Sequence, residues 1–367
     1  MKHIHPDYYD KFHCIASACP ITCCKEWKIA VDDGTNRQWK KLSPPDSVEE
    51  HKNNLSAYTC IKDGARVIRL DCRHNCPFLS DDKLCRLVTA YGDDVLSHTC
   101  TIFPRELQEY DTHTEESLMA CCPAVIDLWR DNPIIFPADI PGTPLFLIRD
   151  KLIGLVQDTT LPPESALLEG FYILLELYRN EPVSCAQVHE YFSAQSLKEL
   201  HFAMTDIHIP EADTVDECNE LLQDLAVNYR KEGLYTGYLQ DVLKETPDGS
   251  WQNFSDMLAC YDVLIRNYLA NEFYSDLLSP DDSGRNLEHM VIQYQWIIIE
   301  YTAIRQSLFH IWNDSGGQLS YENVRDYMVI LSRMTGYDDD DIRTYLENSF
   351  ERLIWEWGYA ALIVGRY

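Results

Sequence analysis

The sequence has few basic residues and no long apolar run. Lys and Arg number 31 against 59 Asp and Glu, so the formal net charge is -28. A field of that sign repels phosphate backbones and anionic lipid, and we expect no nucleic acid partner. The longest apolar runs, such as 296–299 and 360–364, are far shorter than the roughly 18 to 20 residues that span a bilayer. The first residues lack the apolar stretch of a secretory signal, so we expect a cytoplasmic protein with no membrane partner.

Several cofactor motifs are also missing. The 15 glycines are scattered without a GxGxG turn, which argues against a Rossmann-like cofactor site. No paired CxxC knuckles of a zinc ribbon occur, and no CxxxCxxC run of the usual radical enzymes with iron–sulfur clusters occurs.

Cysteine, in contrast, is abundant at one end of the chain. Of the 14 cysteines, all but Cys185, Cys218 and Cys260 lie within the first 122 residues. In a reducing cytoplasm such a group is expected to hold a metal or an iron–sulfur centre rather than disulfides, because thiolates are soft ligands for both. Isolated cysteines such as the last three are typical buried small hydrophobes.

Charge divides the chain in the same region. Residues 1–130 have a net charge of -4 and residues 131–367 have -24. Between these parts stand Pro133, Pro137, Pro141 and Pro144, which interrupt helices. We therefore predict two domains, a cysteine-rich metal-binding domain over 1–140 and an acidic helical domain over 141–367.

The fold class is predicted as mainly α. Short strands and loops are expected in the N-terminal domain, where ligation compensates for a small apolar core. An α-helical bundle is expected after it, because apolar residues recur at helical spacing over 145–157, 164–179, 184–192, 215–231, 251–278, 286–312, 321–335 and 340–358.

The cysteine-rich region contains a series of short motifs, which in order are Cys14, Cys19, Cys23-Cys24-Lys25-Glu26-Trp27, Cys76-Pro77-Phe78-Leu79, Leu84-Cys85-Arg86, Leu96-Ser97-His98-Thr99-Cys100, Phe103-Pro104-Arg105 and Cys122-Pro123. Taken in this order, they resemble those of the flagellin lysine-N-methylase family (FliB), within the wider CxxCxxCC (YkgJ-like) cysteine-cluster proteins. A weaker likeness continues over 265–273 and 301–308.

The resemblance implies an iron–sulfur cluster of the 4Fe-4S type, S-adenosylmethionine as methyl donor and flagellin lysines as acceptors. It implies that metal ligands come from Cys14, Cys19, Cys23, Cys24, Cys76, Cys85, Cys100 and Cys122, whereas Cys60, Cys72 and Cys121 look like extras of this sequence. Eight cysteines exceed the four ligands of one cluster, so the ligating subset stays open. Zinc is the alternative metal, and a non-enzymatic protein that sequesters zinc or iron is the alternative function.

Two further residues are candidates for cofactor binding. Arg105 is able to hold a carboxylate or offset the charge of a thiolate-bound cluster, and His98 is able to donate a hydrogen bond to cluster sulfur. Trp27 and Trp39 are weighed as an aromatic face for a cation, although packing is the commoner role of tryptophan. No catalytic base stands out in the sequence, and radical and polar methyl transfer both remain open.

Overall fold

The structure is a computed structural model. It describes residues 2–62, 64–137, 143–280, 286–336, 339–349 and 356–365. The predicted boundary near residue 140 lies outside the described residues, and the division into two domains stays a prediction. No helix in the described part of the chain is both long and apolar enough to cross a bilayer.

The N-terminal part combines short strands, short helices and turns. Its strands are β1 (Lys2–Ile4), β2 (Thr59–Lys62), β3 (Ala65–Ile68), β4 (Arg105–Glu109) and β5 (His113–Leu118), and its helices are α1 (Asp33–Trp39), α2 (Arg86–Tyr91), α3 (His98–Ile102) and α4 (Pro123–Trp129). In one sheet β5 is central, parallel to β1 and antiparallel to β4, while β2 and β3 form a separate antiparallel pair.

The rest of the described chain is helical. Its helices are α5 (Pro144–Gln157), α6 (Pro163–Arg179), α7 (Cys185–Tyr191), α8 (Ala194–Thr205), α9 (Glu211–Leu225), α10 (Val227–Glu232), α11 (Thr236–Val242), α12 (Trp251–Leu258), α13 (Asp262–Asp276), α14 (Leu287–Asp314), α15 (Tyr321–Thr335), α16 (Asp339–Ser349) and α17 (Trp357–Val364). The prediction of a mainly α protein with few short strands is confirmed.

Helix prediction from periodicity succeeds best where caps are strong. The helix predicted over 321–335 is α15, which begins at a capping box formed by Ser320 and Asn323. The prediction over 251–278 is wrong in one respect, because α12 and α13 are separated by a short 3-10 turn at Ala259–Tyr261. Helices α8 and α11 were not predicted, and part of the helix predicted over 340–358 lies outside the described residues.

Two hydrophobic cores organise these elements. The smaller one lies within the N-terminal part, where Trp39, Tyr58 and Phe78 pack ring against ring. The larger one is built around α13 and α14, which are buried along almost their whole length. Buried residues of the N-terminal part, among them Tyr8, Leu118 and Trp129, also belong to this larger core, so the N-terminal part and the helical bundle share it.

Candidate functional site: a cysteine cluster beside an acidic cavity

The structure brings the eight predicted cysteine ligands into one neighbourhood, which we call the cysteine cluster. Backbone contacts hold the segments together: Cys76 N donates to Cys24 O at 2.7 Å, and Leu79 pairs with Cys85 in an antiparallel bridge. Two further members stand at starts of short helices, since Cys100 N donates to the Ser97 cap of α3 and Cys122 is the N-cap of α4. Loops that are far apart in sequence thus converge.

Electrostatic interactions link the thiols of the cysteine cluster to one another. The pKa of Cys100 is raised to about 11, mainly by burial and to a smaller extent by the neighbouring thiols of Cys23 and Cys85. Burial likewise raises the pKa of Cys122 to about 12, with contributions from Cys19 and Cys23. The same pattern, with Cys14, Cys24 and Cys76 among the interacting thiols, joins all eight members. At neutral pH most of these thiols carry protons that a bound metal must displace.

The donor chemistry fits a soft metal centre. All fourteen cysteines are free thiols, and eight of them interact in the cysteine cluster. Within the described residues, however, no three Cys, His, Asp or Glu side chains already stand in the geometry of a metal-binding group. The ligand roles of the eight cysteines therefore stay predictions.

A cation from the helical bundle enters this region. Arg333 of α15 is buried, and its guanidinium donates to Cys121 O at 3.0 Å, Thr22 O at 3.1 Å and Ile21 O at 3.0 Å. It also lies 5.2 Å from the ring centroid of Trp27. Arg333 lies on a helix whose apolar pattern predicts packing, and it is far from the cysteines in sequence. Sequence alone therefore did not connect Arg333 with the cysteines.

The charge of Arg333 acts directly on the cysteine cluster. The pKa of Cys23 is lowered to about 7, first by a hydrogen bond from Cys24 and then by the Arg333 charge. A lowered pKa favours the thiolate, which is the form that binds metal.

Arg105 and His98, the two residues predicted to bind a cofactor, lie in different surroundings. Arg105 packs its guanidinium 5.6 Å from the ring centroid of Tyr9 and 5.2 Å from that of Phe12. His98 is exposed at the start of α3, where its backbone N–H donates to Asp32 Oδ2 at 3.1 Å. Their roles toward a cofactor stay predictions.

Trp27 and Trp39, which were considered as an aromatic face for a cation, also lie in different surroundings. The ring of Trp27 faces a cation, but that cation is the protein's own Arg333. Trp39 is buried in the smaller core, where its Nε1 donates to Val95 O at 2.7 Å. Packing is thus the role of Trp39.

Next to the cysteine cluster lies a cavity of about 310 Å³ that sequence reasoning did not find. Cys121 lines the cavity, while its neighbour Cys122 belongs to the cysteine cluster, so the two sites share a wall. We call it the acidic cavity, because four carboxyl groups are among its lining residues. The lining consists of Glu106, Gln108, Met119, Ala120, Cys121, Asn271, Glu272, Ser275, Asp276, Leu278, Ser279, His289, Gln293, Trp296, Glu300, Ser332, Thr335, Gly336 and Ile342.

The buried carboxyl groups of the acidic cavity differ in their hydrogen bonds. Glu300 of α14 accepts from the Tyr268 hydroxyl and, at 2.7 Å, from Ser332 Oγ. Glu106 of β4 accepts from Ser117 Oγ at 3.3 Å. Glu272 of α13 accepts one hydrogen bond, from Asn271 Nδ2 at 3.2 Å.

Burial disfavours the charge of these groups. The pKa of Glu272 is raised well above its ordinary value, mainly by burial and then by the charges of Asp276, Glu300 and Glu106. Burial also raises the pKa of Glu300 and of Glu106. Among the described residues none of these three glutamates has a Lys, Arg or His partner. The acidic cavity is therefore suited to a cation brought by a ligand.

Only one signal in the sequence pointed to this cavity. Glu272 stands in the segment 265–273, which carries the weaker family likeness, and both Glu272 and Glu300 stand on helices that are buried along almost their whole length. Buried charge on such helices marks a functional candidate, because an unpaired buried carboxylate is costly.

Comparison with known proteins places the chain in a family. Residues 149–363 match the family model described as FliB lysine N-methylase C-terminal domain. This match covers more than half of the chain, and the chain belongs to that family. The resemblance inferred from the cysteine motifs is thereby confirmed.

Similar proteins bear related names. A Lysine-N-methylase of Salmonella typhimurium (strain LT2) is 32% identical over 165 residues, which are 41% of this chain and 40% of that protein. The Lysine-N-methylase of Salmonella choleraesuis (strain SC-B67) matches to the same extent. The flagellar biosynthetic protein FliU of Salmonella muenchen is 33% identical over 135 residues, which are 35% of this chain and 76% of that protein. The chain thus matches about two fifths of the length of the two lysine-N-methylases, and no solved structure matches it.

Proposed function

We propose that the chain is a protein-lysine N-methyltransferase that uses S-adenosylmethionine and an iron–sulfur cluster and acts on flagellin in the cytoplasm. The observation that carries this proposal is the cysteine cluster, placed against the acidic cavity in a chain of the FliB family. Flagellin as substrate is supported by the flagellar name of FliU and by the family resemblance.

The cysteine cluster supplies more thiols than one metal centre needs. Cys23, Cys24, Cys76, Cys85 and Cys100, whose thiols interact with one another, would supply the three or four ligands of the cluster. A 4Fe-4S group there would supply redox chemistry and, at an open iron, a binding position for a donor molecule. Arg333 would balance part of its negative charge, because the guanidinium already acts on Cys23.

A reducing compartment fits the same residues. Fourteen free thiols persist only where disulfide formation is suppressed, which is the condition of the cytoplasm. The structure provides no glycine-rich turn for a Rossmann-like donor site within its described residues, so the donor is expected at the junction of cysteine cluster and acidic cavity.

Anaerobic purification followed by metal, sulfide and methyl-transfer measurements tests this function. We expect about four irons and four sulfides per chain, a reduced-state EPR signal that S-adenosylmethionine alters, and transfer of labelled methyl groups to lysines of flagellin detected by mass spectrometry. Stoichiometric zinc, without iron and without an effect of S-adenosylmethionine, would instead support a metal-sequestering protein.

A further inference from the structure

The acidic cavity has the properties of a binding site for a single alkylammonium group. Its volume of about 310 Å³ lies at the lower end of the range for small-ligand sites. Three of its carboxyl groups lack a basic partner among the described residues, and Trp296 adds an aromatic ring to the wall. Carboxylates and an aromatic face are the groups that recognise an ammonium ion.

A second observation also indicates that the acidic cavity binds a ligand. Ser275 is buried and lines the acidic cavity, and its Oγ has no hydrogen-bond partner among the described atoms. A buried hydroxyl without a partner is destabilising, and a bound donor such as an ammonium N–H satisfies it.

Asn271 fixes Glu272 toward this role. The Tyr8 hydroxyl donates to Asn271 Oδ1, which orients the amide so that its Nδ2 donates to Leu118 O and to Glu272 Oε1, each at 3.2 Å. Glu272 Oε2 has no hydrogen-bond partner among the described residues. One oxygen is held and the other is left for a ligand.

On these grounds, and resting on the proposed lysine methylation, we infer that the acidic cavity receives the side chain of the substrate lysine and that Glu272 removes the proton from its ε-ammonium. Glu300 is less suited to take the proton, because donors from Tyr268 and Ser332 already stabilise its charge. Glu300 and Glu106 instead attract the ammonium ion.

The proton balance of this step is simple. One N–H bond of the ε-ammonium breaks, its electron pair stays on nitrogen, and an O–H bond forms on Glu272, which becomes a neutral carboxylic acid. Burial supports this direction because it raises the pKa of Glu272 above its ordinary value, which strengthens the carboxylate as a base. The neutral amine then has the lone pair that bonds to the methyl carbon of a sulfonium donor, while the carbon–sulfur bond breaks and its electron pair stays on sulfur.

Other charged groups face Glu272 and contribute to its titration. They come from each neighbouring element: Tyr8 after β1, Glu106 of β4, Cys121 before α4, Tyr268 and Asp276 of α13 itself and Glu300 of α14. His289 of α14 lines the same cavity. A substitution of Glu272 alone leaves all these groups in place.

The binding experiment uses Nα-acetyl-L-lysine N-methylamide as probe and the full chain labelled with 5-fluorotryptophan. The fluorine signal of Trp296, assigned with W296F, reports occupancy of the acidic cavity. We expect saturable shifts with the lysine probe and none with the norleucine analogue, which has no ammonium group. E272Q should weaken binding about tenfold, as loss of one charge-assisted contact predicts.

Glu220→Gln is the matched control, because Glu220 is an exposed acid of α9 that lines a different pocket. It should bind the lysine probe like the unaltered chain. Equal binding of the lysine and norleucine probes, or an unchanged affinity in E272Q, would overturn the inference.

The kinetic experiment separates proton removal from binding. With flagellin saturating, E272Q should lower kcat about 100-fold and abolish the acid limb of the pH profile, and E272D should restore part of the rate. If E272Q methylates flagellin at an unchanged kcat, Glu272 is not the base even though the proposed function stands. If the chain methylates no flagellin but binds the lysine probe through Glu272, the cation site stands and the proposed function fails.

Discussion

Arg333 of α15 donates a hydrogen bond from Nε to the carbonyl oxygen of Cys121, which is 212 residues earlier in the chain. The same guanidinium also holds Ile21 and Thr22. One side chain of the helical bundle thus joins two stretches of the cysteine-rich part, each of which carries members of the cysteine cluster. The same Cys121 lines the acidic cavity, so Arg333 contacts the chain where the two sites meet.

Arg333→Met should destabilise the protein by about 2 to 4 kcal/mol, because three buried carbonyl oxygens lose their donors. Arg333→Lys should recover only part of the loss, since an ammonium group does not reproduce the planar fork of donors. Urea unfolding measures both changes. Arg230→Met, at an exposed position of α10, serves as control and should stay within about 0.5 kcal/mol of the unaltered chain. Equal stability of all three variants would contradict this role of Arg333.

Glu272→Gln should raise the free energy of unfolding at pH 7 by about 1 kcal/mol, as expected when a functional residue is costly to stability. The folded-state pKa of Glu272 is raised above its unfolded value. Its protonated form therefore stabilises the fold at low pH, and this contribution is lost as pH rises through the folded pKa.

The difference between Glu272→Gln and the unaltered chain should consequently shrink as pH falls from 7 toward about 4.5. Urea unfolding at several pH values measures it. A difference that grows on acidification would mean that Glu272 is stabilised as a carboxylate. Glu220→Gln should show no such trend.

Glu115 of β5 and Arg149 of α5 form a buried ion pair between the sheet and the bundle. Both guanidinium Nη atoms lie 2.6 Å from carboxylate oxygens, and Arg149 Nη1 also donates to Tyr274 O at 3.1 Å. Removal of Arg149 leaves the buried Glu115 carboxylate with the His113 ring, at 3.1 Å, in place of a bidentate guanidinium, so Arg149→Met should cost about 3 to 5 kcal/mol.

The exposed pair of Lys244 and Asp314 provides the comparison for this buried pair. Lys244→Met should cost less than about 1 kcal/mol, because water screens an exposed pair. Thermal or urea unfolding measures both. Similar losses in the two variants would show that the Glu115 pair is not held away from water.

Cysteine variants distinguish ligands from extras. Cys76→Ser and Cys100→Ser should each lose most of the bound iron and its visible absorbance, because both thiols interact with several members of the cysteine cluster. Cys60→Ser, on β2, should retain the iron content of the unaltered chain. Iron and sulfide analysis after anaerobic purification measures this, and equal iron in all three variants would contradict the assignment.

Much of the fold follows from local sequence. The helices α5, α6, α7 and α15 were predicted within a residue or two, because apolar periodicity and a Pro, Ser or Thr at the start act within a few residues. The break between α12 and α13 was missed, because periodic apolar residues continue through Ala259–Tyr261 without Gly or Pro.

The site was only half predictable. The density of cysteines indicated a metal centre, and the resemblance of their motifs to a known family implied the eight thiols of the cysteine cluster, whose ligand roles stay predictions. The acidic cavity was not predicted, because Glu106, Glu272 and Glu300 meet through tertiary packing of a strand and two helices. Arg333 was missed for the same reason, as its partners lie some 300 residues away.

The bond from Tyr8 to Asn271 has a consequence for how such proteins diversify. Asn271 aligns Glu272, so a residue near the first strand shapes the chemistry of a helix much later in the chain. A helical segment grafted onto a chain that lacks a tyrosine at the place of Tyr8 would keep Glu272 but lose the hydrogen bond that orients Asn271. Chimaeras of this fold therefore need to take the first strand region and α13 from the same parent.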